Sequence, residues 1–231
     1  ASQFTAALAA PSVSQILLVI DSPGGSVYGV EELASRIARA SKPVTAIADP
    51  LSASAAYWIG AAARKLVVTP SGQVGSIGVL AAHIDVSKAD EKAGLKTTIV
   101  TSTPYKAEFA PEFPLSDEAR AEMQDKVNSY HRAFVTAVAK ARRVPEGRVE
   151  ADFGRGRMVL ARDAVSRGMA DRVATLSEVL AEMTRKPATV GRPSADAIAA
   201  RLRVLELDAI ADREARIKAI RDRAAEVQRG E

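Results

Sequence analysis

The stretch Ile16-Leu17-Leu18-Val19-Ile20-Asp21-Ser22-Pro23-Gly24-Gly25-Ser26, with the two segments that follow it, decides the fold class. The apolar run Ile16–Ile20 reads as a parallel strand covered on both faces. It ends in a turn too rich in glycine to continue as a helix. Val30, Leu33, Ile37 and Ala38 then fall on one helical face. Val44-Thr45-Ala46-Ile47-Ala48 reads as the next strand, which completes a βαβ unit with a right-handed crossover expected.

The pattern continues along the chain. Ser52–Ala63 reads as a small-residue helix carrying Tyr57 and Trp58, and Leu66-Val67-Val68 as a short strand. A second glycine-rich loop, Gly72–Gly78, leads into Ile77-Gly78-Val79-Leu80, followed by a helix over Val86–Ala93 and a strand over Thr97–Val100. Pro104–Pro114 is irregular. Ser116 reads as an N-cap with Asp117 and Glu118 in the first turn, opening a helix with Met123, Val127, Tyr130, Phe134 and Val138 on one face. Arg142-Arg143 and Pro145 mark its end. Two further helices, Asp163–Arg167 and Leu176–Met183, flank Gly168. Residues 1–185 are thus expected to form one domain, 186–193 a Pro/Gly linker, and 194–231 a charged helical tail. In that tail Ile210, Ile217, Ile220, Ala224 and Val227 make a short heptad-like stripe, equally consistent with one amphipathic helix, a coiled coil or partial disorder.

Composition narrows the chemistry. Of the 231 residues, 47% are apolar and 26% charged, the balance of a globular protein, and only 4% are aromatic, so the core must be aliphatic. The net charge of +4 comes from scattered basic residues with no basic stripe, so nucleic-acid binding is not expected. There is no cysteine, which removes thiol catalysis, disulfides and Cys-based metal sites. The two histidines, His83 and His131, lack metal-ligand spacing to carboxylates, and neither metal nor cofactor is expected. His131 reads as a mid-helix residue; His83, after an apolar segment, stays open as a catalytic alternative. No window approaches the roughly eighteen apolar residues of a membrane span. The start Ala1-Ser2-Gln3-Phe4 lacks both Met and a basic n-region, and is read as following a missing N-terminal portion.

A serine nucleophile needs a group to take its proton, and without cysteine or a well-placed histidine a desolvated lysine is the remaining base. Ser54, among Ala53, Ala55 and Ala56, lets a peptide backbone approach closely. Lys106 lies beside Tyr105, Phe109 and Phe113, the most aromatic stretch, and is expected to be buried there. The Gly24-Gly25 turn offers backbone N–H groups to an oxyanion. Singly, each feature has an ordinary explanation: serine beside alanines packs helices, and Gly-Gly after a strand makes turns.

In order, Asp21-Ser22-Pro23-Gly24-Gly25-Ser26, Ala53-Ser54-Ala55-Ala56-Tyr57-Trp58-Ile59, Gly75-Ser76-Ile77-Gly78 and Tyr105-Lys106 resemble the signal peptide peptidase A family, which includes head maturation proteases of tailed phages. Gly156-Arg157, Leu160-Ala161, Ala164, Gly168 and Asp171 resemble its C-terminal segment. The resemblance covers residues 5 to 183. It implies an α/β fold of the Clp-protease/crotonase type, a repeated ββα superhelix, and a Ser-Lys dyad. Ser54 would be the nucleophile, Lys106 the general base, and Ser76 the hydroxyl orienting the lysine. Gly24 and the Ala55 amide would form the oxyanion hole, with Gly25, Gly75 and Ile77 against the substrate. The family often has Gly-Gly after the nucleophile where this chain has Ala55-Ala56. Alanine keeps the amide and matters only if the position needs positive φ.

The implied partners are a protein or peptide substrate and further copies of the chain in a ring-like homo-oligomer. Two roles compete within the family. One is cleavage of capsid and scaffold proteins in the host cytoplasm or prohead. The other is degradation of leftover signal peptides, with membrane association if an N-terminal anchor has been lost. The linker and helical tail favour the first. Outside the family, crotonase-like acyl-CoA chemistry would need carboxylates such as Glu108 and Glu112, and a non-catalytic assembly protein would rely on the tail.

Overall fold

The computed structural model describes residues 2–185; the expectations for the linker and tail fall outside the described residues. In chain order the elements are α1 (Ser2–Ala9), β1 (Ile16–Ser22), α2 (Val30–Ala38), β2 (Val44–Ala53), α3 (Ala55–Ala61), β3 (Lys65–Val68) and β4 (Gln73–Gly75). Then follow α4 (Ser87–Lys92), α5 (Asp117–Arg142), α6 (Glu146–Asp152), β5 (Met158–Leu160), α7 (Ala161–Arg167), β6 (Arg172–Val173) and α8 (Leu176–Thr184). The chain divides into two units, and Ala1–Val179 is the one that holds the sheet and its core.

The sheet runs β5-β4-β2-β3-β6, with β1 also paired to β2. All pairings are parallel except β4 with β5. β2 is the organising strand. Its residues Thr45–Ala48 pair with β3, and Leu51–Ala53 pair with β4. Pro50, which has no N–H to give a ladder, falls between the two pairings. On the other side of β2, Ile16–Ile20 run in register with Val44–Ala48, and after an irregularity Ser22 meets Ser52.

The core is aliphatic, as the composition requires. Ala46, Ile47, Ala48, Leu66, Val67, Val68 and Val74 are buried in the sheet, and α3 is buried along almost its whole length. Small residues permit this close packing: a methyl added at Gly60 would lie 3.0 Å from Ile20 Cδ1. Trp58 of α3 stacks on Phe134 of α5, with ring centroids 4.8 Å apart and planes 8° from parallel. Such offset pairs add about 0.5–1.5 kcal/mol beyond area burial.

Several expectations are corrected. β1 is not covered on both faces. Ile16, Leu18 and Ile20 share the face turned to α3, whereas Val19 on the opposite face is 48% exposed. The α3 helix starts at Ala55 rather than Ser52, because β2 runs on to Ala53. Thr97–Val100 is not a strand but exposed, irregular chain, with Val100 91% exposed. It finds no sheet edge, because β5, not this segment, lies beside β4. The apolar stripe of α5 is buried mainly in its C-terminal half, at Phe134, Val135, Val138 and Ala139. The N-terminal half meets residues 105–113 instead, with Lys126 Nζ 5.1 Å from the Phe109 ring centroid. Ser116 caps α5 as expected, its Oγ accepting from the Ala119 N–H at 3.1 Å.

Candidate active site

Parallel pairing carries three expected site segments to one end of the sheet. Ser22 opposes Ser52, and Ala53 opposes Gly75. The residues just beyond them, Gly24, Ser54 and Ser76, therefore emerge together at the carboxyl ends of β1, β2 and β4. That is where open α/β sheets hold ligands.

Ser54 occupies the step between β2 and α3 with φ 52° and ψ −125°. A non-glycine residue in this region is strained by about 1–3 kcal/mol and persists only where its surroundings fix it. Here they do. The Ser54 N–H donates to the Gly75 carbonyl at 2.8 Å, and its own carbonyl accepts from the Trp58 N–H at 3.0 Å. A sharp strand-to-helix turn of this kind lifts a serine hydroxyl clear of the sheet. Ser76, just beyond the neighbouring strand β4, also has a positive φ of 52°, and its N–H donates to the Arg157 carbonyl at 3.0 Å.

Gly24 lies against Ser54. With φ 104°, its added methyl would sit 2.7 Å from Ser54 Cβ, 2.9 Å from the Ala53 oxygen and 3.2 Å from the Ala55 nitrogen. Only glycine permits both that conformation and that approach. The turn and the first amide of α3 are therefore next to each other, as an oxyanion site requires. One detail differs from the expectation of unencumbered amides. The Gly24 N–H donates to Ser22 Oγ at 3.2 Å, a local side-chain turn. Gly25 is the next residue of the turn, exposed, with open space on its Cβ side.

Gly75 is equally constrained, at φ 124° with a methyl position 2.8 Å from the Arg157 oxygen. Ile77 is buried beside it. Lys106 is not drawn into this cluster. It is exposed, on an irregular segment, and lines an open concavity of ≈ 740 Å³ with Ile99, Val100 and Phe109. The burial expected from its aromatic neighbours is absent because they are themselves outside the core: Tyr105 is 59% exposed and Phe113 41%. His83 is half-buried and its Nε2 lies 3.3 Å from the Ala110 carbonyl, on the same segment as Lys106.

The α3 helix that follows Ser54 is clamped from behind. Tyr57 is fully buried and its hydroxyl donates to the Met169 carbonyl at 2.9 Å. Burial pushes this phenol well above its ordinary pKa; the Arg142 charge opposes that effect and Asp171 adds to it. Arg142 closes the network, donating through Nε to the Gly168 carbonyl at 2.9 Å and through both terminal nitrogens to Asp171, at 3.1 and 2.8 Å. Asp171 also accepts from the Leu66 N–H at 2.6 Å. Partial burial raises the Asp171 carboxyl, but Arg142 and the Leu66 amide outweigh it and hold the group below the usual carboxylate range.

Sequence reasoning missed Ser22, Arg157 and Met169 as supports of the site. The Ser-x-Gly spacing at Ser22 was a readable signal for a side-chain turn. The other two act through backbone carbonyls, which no residue type announces. Among the described residues no group of three or more His, Asp or Glu side chains is placed to hold a metal ion.

The model of Peptidase family S49 matches residues 36–190. The chain belongs to that family. It is 36% identical over 131 residues to capsid assembly protease C of Escherichia phage lambda, covering 56% of this chain and 30% of that protein. It is 30% identical over 185 residues to protease 4 of Salmonella typhi, covering 79% of this chain and 30% of that protein. The S49 chain thus spans about a third of the length of these curated relatives. Its fold is shared with a serine-to-alanine mutant of the 1510-N membrane-bound stomatin-specific protease. That match has a TM-score of 0.53 and 15% identity, covering 78% of this chain and 73% of the other. Among the described residues no helix is long and apolar enough to cross a membrane.

Proposed function

We propose that this S49 chain is a serine endopeptidase that uses Ser54 as nucleophile and Lys106 as general base. The observation that carries the reading is the strained Ser54 turn, held by Gly75 and approached by Gly24. Strain of this kind costs stability and is retained where geometry has work to do. In the proposed cycle Lys106 takes the Ser54 proton, Ser54 Oγ attacks a peptide carbonyl, and the leaving amine departs with that proton. Lys106 then activates water to release the acyl group. Backbone N–H groups of the Gly24-Gly25 turn and of Ala55 receive the oxyanion, and Ser76 orients the lysine. The Clp-protease/crotonase-like superhelix remains part of this reading.

Lys106 needs a drier setting than the single chain gives it. Val100 beside it in the concavity is 91% exposed, and the chain leading to it carries Leu80, Ile84 and Leu95 at 86%, 73% and 63% exposure. Large apolar residues left this exposed point to an interaction surface, and we assign them to contacts between copies of the chain in a homo-oligomer. Similarity to a capsid assembly protease supports capsid and scaffold proteins as substrates, in the prohead or host cytoplasm. The longer match to protease 4 supports the second reading, a signal peptide peptidase. No cofactor enters the mechanism.

The test is incubation of the full chain with candidate capsid and scaffold proteins, with mass spectrometry of the products and fluorophosphonate labelling of Ser54. Ser54→Ala and Lys106→Ala should each lower cleavage by a factor on the order of 10⁴ or more while circular dichroism is unchanged. Full activity in Lys106→Ala would remove the dyad, and cleavage by Ser54→Ala would remove the nucleophile.

A further inference from the structure

Every fourth residue of α5 from Glu118 to Phe134 belongs to a row that touches three separate parts of the proposed machinery. Glu118 accepts a hydrogen bond from the Tyr105 hydroxyl, which raises that phenol. Glu122 pairs with Lys126 Nζ at 3.0 Å, and the same ammonium lies 5.1 Å from the Phe109 ring centroid. Tyr130 meets Tyr28 edge to face, with ring centroids 6.4 Å apart and planes at 90°. Phe134 stacks on Trp58 at 4.8 Å. The partners are not scattered. Tyr105 and Phe109 bracket Lys106, Tyr28 stands four residues beyond Gly24, and Trp58 stands four residues beyond Ser54.

Helix geometry makes the row continuous. Residues four apart advance about 6 Å and turn about 40°, so these five form one ridge about 24 Å long. Its winding carries it from solvent at Lys126, whose side chain is 55% exposed, into the core at Phe134, 1% exposed. The buried end fixes α5 against α3, and the exposed end holds what is laid upon it. Glu122 first, and then Glu108 and Tyr28, raise the Lys126 ammonium, so this charge is flanked by one group from each of the two outer segments.

A solvated helix face would account for the Glu122–Lys126 pair alone. It does not account for three aromatic partners drawn from two distant segments onto the same row. Nor does stability account for them, because exposed ion pairs and ring contacts add little to it. What the row does fix is the spacing between the Gly24 strap, the Lys106 segment and the helix after Ser54.

Resting on the peptidase reading of Ser54 and Lys106, we propose that this ridge is a splint that sets the Lys106 segment and the Gly24 strap against α3. Lys126 and Tyr130 are its positioning residues. Lys126 acts on the segment of the proposed base, and Tyr130 on the strap that carries the proposed oxyanion amides. Neither touches the reacting atoms.

The experiment compares the full chain with its Lys126→Ala, Lys126→Arg, Tyr130→Ala and Tyr130→Phe variants at one fixed chain concentration. Millisecond hydrogen exchange, read by mass spectrometry on peptides covering residues 22–29 and 103–110, reports the two outer segments directly. Lys126→Ala should speed exchange of the second peptide and Tyr130→Ala that of the first, each by roughly three- to tenfold, the size of one lost ring contact. Both alanine variants should lower kcat by a similar factor while KM stays within about twofold. The urea midpoint should not move, which a merely structural role would require. Lys126→Arg and Tyr130→Phe keep the ring contacts and should restore exchange and kcat together.

Unchanged exchange in both alanine variants would overturn the splint. So would faster exchange with unchanged kcat, which would leave the ridge without a part in the reaction. A fall in kcat that tracks loss of oligomeric mass, or that the conservative variants do not rescue, would overturn it as well. Fluorophosphonate labelling of wild type reports on Ser54 separately. If wild type neither labels nor cleaves, the peptidase reading fails by itself, and the exchange data still decide whether the ridge holds the two segments.

Discussion

Replacing Gly24 by alanine should damage the Ser54 turn more than the fold. The added methyl carbon would stand 2.7 Å from Ser54 Cβ, where carbon atoms prefer about 3.5–4.0 Å, so the turn must retreat by about 1 Å. Alanine at φ 104° adds a backbone cost of about 1–2 kcal/mol. If nothing moved, overpacking would contribute about 1–3 kcal/mol more, giving a loss of roughly 2–5 kcal/mol. Because the turn is half-buried and ends in exposed Gly25, it can relax outward and recover part of that cost. Relaxation carries the proposed oxyanion amides away from Ser54, and a 1 Å misplacement costs about 10²-fold in rate. The expected outcome is thus a stability loss of about 1–3 kcal/mol with a fall of about 10² in the rate of fluorophosphonate labelling. Urea unfolding and timed labelling measure the two. Gly29→Ala is the comparison, since it has φ 77° but open space around its methyl position and should cost stability alone. Wild-type labelling by Gly24→Ala would refute the argument that this turn and Ser54 act together.

Two further outcomes follow from the clamp behind α3. Asp171 is held below its unfolded pKa, so its contribution is present above the usual carboxylate range near pH 4 and fades as pH falls through the lowered folded value. Asp171→Asn should flatten this part of the acid limb in urea midpoints measured from pH 2 to 6, by about 1 kcal/mol or less because the carboxylate is 39% exposed. An identical acid limb in the variant would assign the effect elsewhere. Tyr57→Phe leaves the Met169 carbonyl without its donor and should cost about 1–3 kcal/mol in the same assay, and an unchanged midpoint would contradict it.

Much of this site was readable from residue order because its parts follow strands directly. Gly24, Ser54 and Ser76 each stand one or two residues beyond a strand end, and parallel register then brings them together. A periodicity argument that finds the strands also finds their ends. It fails where an apolar run belongs to no sheet, as at Thr97–Val100, or where one face of a strand lacks a covering layer, as at Val19. The α5 stripe shows the same limit. Its spacing declares a buried face along the whole helix, but Met123, Val127 and Tyr130 are left partly open and burial concentrates in the C-terminal half, where Phe134 meets Trp58 of α3. The small elements α6, β5 and β6 are too short for any periodicity to register, and β5 is held in place by β4 rather than by its own sequence pattern.

These successes and failures divide along a physical boundary. The proposed nucleophile, its neighbouring amides and Ser76 rest on buried sheet and on α3, which contacts within the chain hold in place. Lys106 rests on a segment preceded by exposed aliphatic residues, Leu95, Ile99 and Val100 among them. Leaving those residues in water forfeits about 25 cal/mol for each Å² of apolar surface that a partner could cover. A serine fixed before association and a base whose surroundings are completed by it would link activity to assembly. Activity per chain should then rise with protein concentration, while the strained Ser54 turn, being intramolecular, should not depend on it.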